Sequence, residues 1–385
     1  MSEVKPDVMP EVTELLARLV SIESINPDLV HNGSGELNVA RFIQMWLEVH
    51  GAQTHWLEGR EGRPSVVGVW KGSGGGKSIM LNGHMDTVGI EGMTHPFEPS
   101  VDGDRMFGRG TYDMKSGVAA MLVAAARASR AGLRGDVIVA CVADEEFASI
   151  GSDEVVKTFR ADAAIVTEPT SLEIVLAHKG FTWAEIETHG TAAHGSRPDL
   201  GVDAITKMGK VLVELEEFSD SLRDGPAHPL LGTGSLHAGV IQGGVGYSTY
   251  PDSCRLTLER RTLPDEPPEY VESELNAILD QLEHEDPQFR ATLRMGLSRP
   301  PHEIAQGAEI VQLLERHART ALGREPVLSS VPFWTDCAIL SGAGIPTVMF
   351  GPHGEGAHAA VEWVSLGSTA TCAAIYEHVI REFCA

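Results

Sequence analysis

Five strings in this chain gather side chains that bind cations and move protons. They are Gly83-His84-Met85-Asp86-Thr87, Thr111-Tyr112-Asp113-Met114-Lys115, Asp144-Glu145-Glu146, Thr167-Glu168-Pro169, and the run from Gly351 to His358. Four of them follow directly on short apolar runs of strand type. Taken singly, each has an ordinary explanation. His84 could bond a loop carbonyl, Asp113 could cap the helix that begins near Ser116, Glu145 and Glu146 could be solvated, and Glu168 could serve the turn at Pro169. Taken together they point elsewhere, because in an open parallel sheet the ligand crevice lies outside the carboxyl ends of the strands. Carboxylates brought together there repel unless a cation offsets them. Histidine and carboxylate donors with no cysteine among them suit a pair of divalent metal ions, with zinc, cobalt and manganese all open. Neighbours in an extended segment face apart. One of Glu145 and Glu146 can therefore hold a metal while the other stays free as a base. By the same alternation His84 and Asp86 diverge. A bend between them would let the Asp86 carboxylate grip the ring nitrogen that faces away from the metal and fix its tautomer.

The elements that must position these strings can be read from periodicity. Leu15, Leu16, Leu19 and Val20 recur at helical spacing after Pro10, and a second helix is predicted over 38–50. Runs 65–70 and 78–82 read as strands joined by a glycine turn at Gly72–Gly76. A helix is expected over 116–130, closed by Gly132. Val137 to Ala143 is a continuously apolar, buried strand. A helix near 151–159 and a strand over 163–166 follow. Helix over 331–340, strand over 345–350 and a final helix to Phe383 complete the pattern. Between these lies a stretch of another kind. Runs 182–188 and 254–258 alternate apolar and polar like a sheet with one exposed face, and helices are expected over 203–218 and 270–283. The expected architecture is α/β: a mostly parallel-sheet catalytic domain, 1–178 with 297–385, carrying an inserted α+β lid and dimerisation domain at 179–296.

Composition narrows the function. A chain of 385 residues fits about two domains of ~100–200 residues. With 30 basic against 54 acidic residues, the formal charge of -24 disfavours nucleic acid and anionic membrane surfaces. The polar N-terminal run (MSEVKPDVMPEV) has no apolar leader segment, and no stretch approaches the ~20 apolar residues of a membrane span. Five scattered cysteines without a C-x-x-C pair argue against a disulfide framework or a thiolate metal site, so a cytoplasmic, reducing setting is expected. The glycine-rich Lys71–Ser78 segment is not a phosphate loop. Lys71 replaces its first glycine, and a strand follows where a helix N-terminus is required.

As a set, Gly83-His84-Met85-Asp86-Thr87-Val88, Gly108-Arg109-Gly110-Thr111-Tyr112-Asp113-Met114-Lys115, Asp144-Glu145-Glu146, Thr167-Glu168-Pro169 and Ala357-His358 resemble the acetylornithine deacetylase, succinyl-diaminopimelate desuccinylase and carboxypeptidase G family of dinuclear metallohydrolases. The resemblance spans essentially the whole chain. It implies two divalent ions per subunit, zinc first among them, with Asp113 bridging. His84 and Glu168 would complete one ion's ligands, and Glu146 and His358 the other's. It also implies Glu145 as general base and Asp86 as the orienter of His84. In the insert, Gly190-Thr191-Ala192-Ala193-His194-Gly195-Ser196 resembles the lid motif whose histidine reaches a neighbouring subunit's site, so a homodimer through the lid is implied. Arg261 matches the family's substrate-anchoring arginine, with Arg260 beside it as a competitor. Ser248 stands where the family usually carries asparagine, and His353 where it commonly has glycine.

The function these features imply is hydrolysis of the amide bond of a small N-acyl amino acid or dipeptide-like substrate. A mononuclear iron oxygenase needs two histidines and one carboxylate, and the surplus carboxylates here argue against it. A non-catalytic, metal-dependent binding protein is the other alternative, and the intact Glu145 argues against that.

Overall fold

A computed structural model describes residues 8–385. The N-terminal run read above as lacking a leader therefore falls in part, at residues 1–7, outside the described residues. The fold is mixed α/β, and the chain divides into two compact units. One comprises the residues up to Leu176 with Ile304–Ser329 and Thr335–Ala385; the other comprises Ala177–Glu303 with Ser330–Trp334. The second unit runs to 303 rather than 296 because the strand Ala291–Arg299 pairs along Gly180–His189 and belongs to that sheet.

In the first unit the central sheet takes the order Gln53–Leu57, Ser65–Trp70, Val137–Val142, Ile79–His84, Ala163–Val166, Thr347–Met349, Ile174–His178. Its middle is parallel, and this decides where the site forms. His84 is level with Val142, Asn82 with Val166, and Val166 with Met349. Parallel strands in that register release their next residues at one edge. Apolar side chains on both faces of these strands explain why they lie between helix layers. The helices Met9–Val20, Ser116–Ser129, Glu309–Leu322 and Leu366–Phe383 pack into the same core, with Leu16, Leu19, Val118, Leu122, Leu314 and Ile375 buried.

Two local expectations are corrected. The strands Ser65–Trp70 and Ile79–His84 do not form a hairpin, because Val137–Val142 lies between them, antiparallel to the first and parallel to the second. The glycines serve a close approach instead. A Cβ on Gly72 would sit 2.3 Å from the Arg134 carbonyl oxygen, so the loop can lie against the backbone of 133–136 only without one. The helix expected over 331–340 is replaced by a strand, Leu328–Val331, and a short helix, Cys337–Gly342. Pro332 keeps Val331 extended and interrupts helical hydrogen bonding.

The second unit is a four-stranded antiparallel sheet in the order Ser235–Gly243, Ser253–Thr262, Gly180–His189, Ala291–Arg299. Helices Ala204–Arg223 and Pro268–Glu285 supply its core through Met208, Val211, Leu215, Val271, Leu275 and Leu279, packed with Ile186, Leu256 and Leu258. Among the described residues, no helix is long and apolar enough to cross a membrane.

Candidate metal centre and active site

His84 ends its strand as a buried residue, and its ring is fixed from both sides. Nδ1 lies 3.0 Å from the carbonyl oxygen of Asp86, which can only accept. Nδ1 therefore carries the proton, and Nε2 faces the carboxylates: Asp113 Oδ1 at 3.2 Å, Glu168 Oε1 at 3.6 Å and Glu145 Oε2 at 3.9 Å. The Asp86 carboxylate stands farther from the ring, at 3.5 Å. Its oxygens also accept from the backbone N–H groups of Glu145 and Glu146, each at 3.2 Å, and from Asn26 Nδ2 at 2.8 Å. Asp86 thus holds the turn that carries both glutamates, a role the alternation argument did not foresee.

Asp113 does not cap the following helix; it lies in an irregular stretch before Ser116. One carboxylate oxygen faces His84, while the other lies 3.4 Å from His358 Nε2. His358 also meets Glu146 Oε2 at 3.0 Å. Glu145 and Glu146 therefore point toward different imidazoles, as their adjacency suggested. His353 turns away from this group: its Nδ1 is 3.2 Å from Ser171 Oγ and its ring stands edge-on to Trp363. The close passage of the Gly351 loop past the Glu168 strand end again needs a glycine, since a Cβ on Gly351 would lie 2.0 Å from the Glu168 carbonyl oxygen.

The electrostatics of this cluster fit bound cations. Burial, the largest influence, holds Glu145 and Glu168 well above the ordinary carboxylate range, and their mutual proximity adds to the rise at Glu145. Burial and then the charge of Asp113 push Glu146 up to about 7. For Asp113 burial is outweighed by hydrogen bonds from His358 and His84, and the carboxyl is held low. His84 is raised well above its usual value although burial opposes this, because Glu168, Asp113 and Asp86 surround it. Hydrogen bonds to Asp113 and Glu146 raise His358 to about 10. Burial and repulsion disfavour the ionised forms of Glu145, Glu146 and Glu168, and a bound cation would favour them. The donor atoms of His84, Glu145 and Glu168, and those of His84, Asp113 and Glu146, lie within 4.8 Å of one another. Such oxygen and nitrogen donors suit divalent ions.

Behind the site stands a buried charge network. Arg63 grips Glu36 with Nε and Nη2 at 2.6 and 2.7 Å, reaches Asp144 Oδ1 at 2.8 Å and meets Asp28 at 2.6 Å. Asn26 joins Asp86 to Asp144. Asp144 holds a positive φ of 69°, and Ala148 N–H and Ser149 N–H return to its carbonyl. The network thus locks the turn that presents Glu145 and Glu146. Replacing Arg63 with methionine leaves Glu36 and Asp144 buried without their cation. The expected cost is about 3–5 kcal/mol, read as a lower urea midpoint of metal-stripped protein. An unchanged midpoint would show that the network carries no such weight. Sequence reasoning missed Asn26, Glu36, Arg63 and Glu362. The available signals were weak: a lone arginine just before the buried strand Ser65–Trp70, and a lone acid between Val361 and Trp363.

The residues predicted in the insert are placed by the second unit's own sheet. Along Ser253–Thr262 the even-numbered side chains are buried and the odd ones lie on the open face. Arg260 is accordingly enclosed, with Nη2 3.1 Å from Glu266 and Nε 3.4 Å from Glu274. Arg261 lies on the open face beside Glu259, its guanidinium 5.4 Å from the Phe181 ring centre. His194 sits on a finger whose two arms are joined by hydrogen bonds from Gly195 N–H to Ser248 O and from Tyr250 N–H to Ala193 O.

 The Gly195-to-Ser248 bond is 2.8 Å long, and the finger leaves the His194 ring exposed. Ser196 N–H points at His194 Nδ1 from 3.2 Å, so Nδ1 accepts and Nε2 is the protonated, outward nitrogen.

Known proteins resemble this chain in sequence and in fold. Residues 80–382 match the model of peptidase family M20/M25/M40. An acetylornithine deacetylase of Myxococcus xanthus is 30% identical, the alignment covering 100% of this chain and 99% of its own. Two solved structures share the fold. The M20 family metallo-carboxypeptidase Sso-CP2 of Sulfolobus solfataricus has a TM-score of 0.80 at 18% identity, over 97% of this chain and 99% of that one. The Bacillus subtilis YXEP protein, a dinuclear metal-binding peptidase, has a TM-score of 0.74 at 16% identity, again over 97% and 99%.

Proposed function

The chain belongs to peptidase family M20/M25/M40 and is a metal-dependent hydrolase of amide bonds, and on that premise we propose how its residues divide the work and what they act on. The observation that carries the proposal is Asp113, whose two carboxylate oxygens face His84 on one side and His358 on the other. Asp113, with one carboxylate oxygen toward each histidine, would help hold both of two divalent ions, zinc in the first instance. His84 and Glu168 would hold one of them, and Glu146 and His358 the other. When bound, such ions supply Lewis acidity to a carbonyl and lower the pKa of water from about 15.7 toward ~7.

The protein's own residues do the rest. Glu145 takes the proton of the attacking water and passes it to the leaving amine. Asp86 and Asn26 hold the backbone that aims Glu145, through the hydrogen bonds described above. His194, protonated at Nε2, donates to the oxygen that gains charge as the carbonyl becomes tetrahedral. Arg261 receives the substrate carboxylate in a forked pair, and Ser248 lines the same substrate with a single hydroxyl where a longer amide would reach further.

His194 reaches the metal centre of a second copy of the chain, and the second unit serves as lid and dimerisation domain. The outer edge of strand Ser235–Gly243 supports this: the strand pairs on one side with Ser253–Thr262, and Val240 and Ile241 are about half exposed. An exposed apolar edge invites pairing with another copy. Lysine at both Val240 and Ile241 should shift sedimentation from dimer to monomer. It should also lower turnover about 10²–10³-fold, the usual weight of an oxyanion donor. A fully active monomer would remove His194 from the mechanism. Five buried, unpaired cysteines support a reducing, cytoplasmic setting.

The substrates are small N-acyl amino acids, with dipeptides as the second reading. The acetylornithine deacetylase relative favours the first, and the carboxypeptidase fold the second. Amine release from N-acetyl, N-succinyl and N-aroyl amino acids, run beside dipeptides, tests the reading. Cleavage confined to N-acyl amino acids supports it, and cleavage of dipeptides alone selects the second. Release from neither, with metal bound, overturns both.

A further inference from the structure

One buried ion pair in the first unit takes no part in the chemistry above, yet both of its ends touch the backbone that carries proposed ligands. Glu362 and Arg109 are 1% and 2% exposed, and Arg109 Nη1 lies 2.7 Å from Glu362 Oε2. The same oxygen accepts from Gly110 N–H at 3.0 Å. The other oxygen accepts from Tyr112 N–H at 2.8 Å and from Asp113 N–H at 3.1 Å. One carboxylate thereby gathers three backbone amides of the loop that ends in Asp113. The guanidinium completes the clamp in the opposite direction. Its Nη2 donates to the carbonyl of Ala359, the residue after His358, at 3.0 Å, and its Nε to the carbonyl of Gly89 at 2.9 Å. His358 itself holds a positive φ of 60°, a conformation that needs support from its surroundings.

Stability alone is a poor reason for such a pair, since a buried ion pair often contributes no more than a well-packed apolar replacement. Its hydrogen bonds have a more particular effect. They tie the backbone of Asp113 to the backbone beside His358 across about 250 residues of sequence, and the side chains of those two residues lie 3.4 Å apart. We propose that Arg109 and Glu362 are positioning residues that set the distance between Asp113 and His358, and so tune the ion held by Glu146 and His358 more than the ion held by His84 and Glu168. The proposal rests on the two-ion reading of the site. Partners behind metal ligands typically change affinity by about 10–100-fold when altered.

Glu362→Gln is the informative substitution. A glutamine oxygen facing Arg109 turns its NH₂ toward the Tyr112 and Asp113 N–H groups, donor against donor, so the Asp113 end of the clamp opens. Arg109→Lys is the milder variant: it keeps a positive charge but cannot make the three-way contact to Glu362, Gly89 and Ala359 with the same geometry. Manganese titration of metal-stripped protein, followed by electron paramagnetic resonance, counts bound ions and reports whether they are magnetically coupled. In Glu362→Gln the first equivalent should bind nearly as in the parent. The second should weaken by about 10–100-fold, with the coupled signal lost or altered. Arg109→Lys should show the same selective loss in smaller measure, and it carries the test if Glu362→Gln does not fold. Two equivalents bound with parental affinity and coupling in both variants would overturn the proposal. So would equal weakening of both equivalents, which would mean that the pair acts through Asp113 on both ions alike and does not tune the Glu146–His358 position. A parent that binds only one equivalent would overturn the two-ion reading itself, whereas a normal parent beside unaffected variants sinks only the positioning role.

Discussion

Replacing Glu145 with alanine should cut turnover by about 10²–10⁴-fold, the usual contribution of a general base, while bound metal stays at the parental level. The two halves of that expectation test different things. Loss of turnover follows from any important role in the site. Retention of metal follows only if Glu145 is not a ligand. The geometry makes the distinction worth testing, because the Glu145 carboxylate lies 3.9 Å from His84 Nε2 and within ligand-like distance of Glu168. Its adjacency to Glu146, which meets His358 at 3.0 Å, favours a division of labour between the pair. Metal analysis of Glu145→Ala beside single-turnover kinetics decides it. If activity and one ion disappear together, Glu145 is a ligand and the proton must be carried by another group.

Asp113→Ala should have the larger effect on metal content. Its carboxylate is the only one within 4.0 Å of both His84 Nε2 and His358 Nε2 among the described residues. Removing it should weaken both ion positions at once and reduce turnover to that of chelator-stripped protein. Glu168→Ala, by contrast, should weaken the His84 position and leave the other largely filled. Metal content after dialysis against a weak chelator checks the contrast. Equal retention of both ions in Asp113→Ala would show that the carboxylate is not a bridge.

The candidate site was legible because its residues follow apolar runs. His84, the Asp144–Glu146 string and Glu168 each leave a strand of the parallel core, and the rule that strand ends converge needed no knowledge of strand order. The order itself was not legible. Nothing local tells Ser65–Trp70 that its partner is Val137–Val142, so the Gly72–Gly76 loop looked like a hairpin when its glycines serve a close approach to Arg134. Long-range charge pairs were hidden for the same reason: Arg63 with Glu36 and Asp144, and Arg109 with Glu362, have no spacing that marks them. The choice between Arg260 and Arg261 is a different case. Cys254, Leu256 and Leu258 already define the buried face by alternation, and Arg260 continues that series while Arg261 does not. The hold of the Asp86 carboxylate on the Glu145–Glu146 turn escaped notice because the partners there are backbone amides, to which side-chain identity gives no clue.

Amide hydrolysis by this chain should depend on ions held at His84, Asp113, Glu146, Glu168 and His358. Its most direct test is amine release from an N-acetyl amino acid by chelator-stripped protein, with zinc, cobalt or manganese added back in measured equivalents. No release is expected without metal, and release should rise on adding it back and saturate near two equivalents per subunit. Full release from stripped protein, or no recovery when both equivalents are bound across the N-acyl and dipeptide panel, would contradict that dependence.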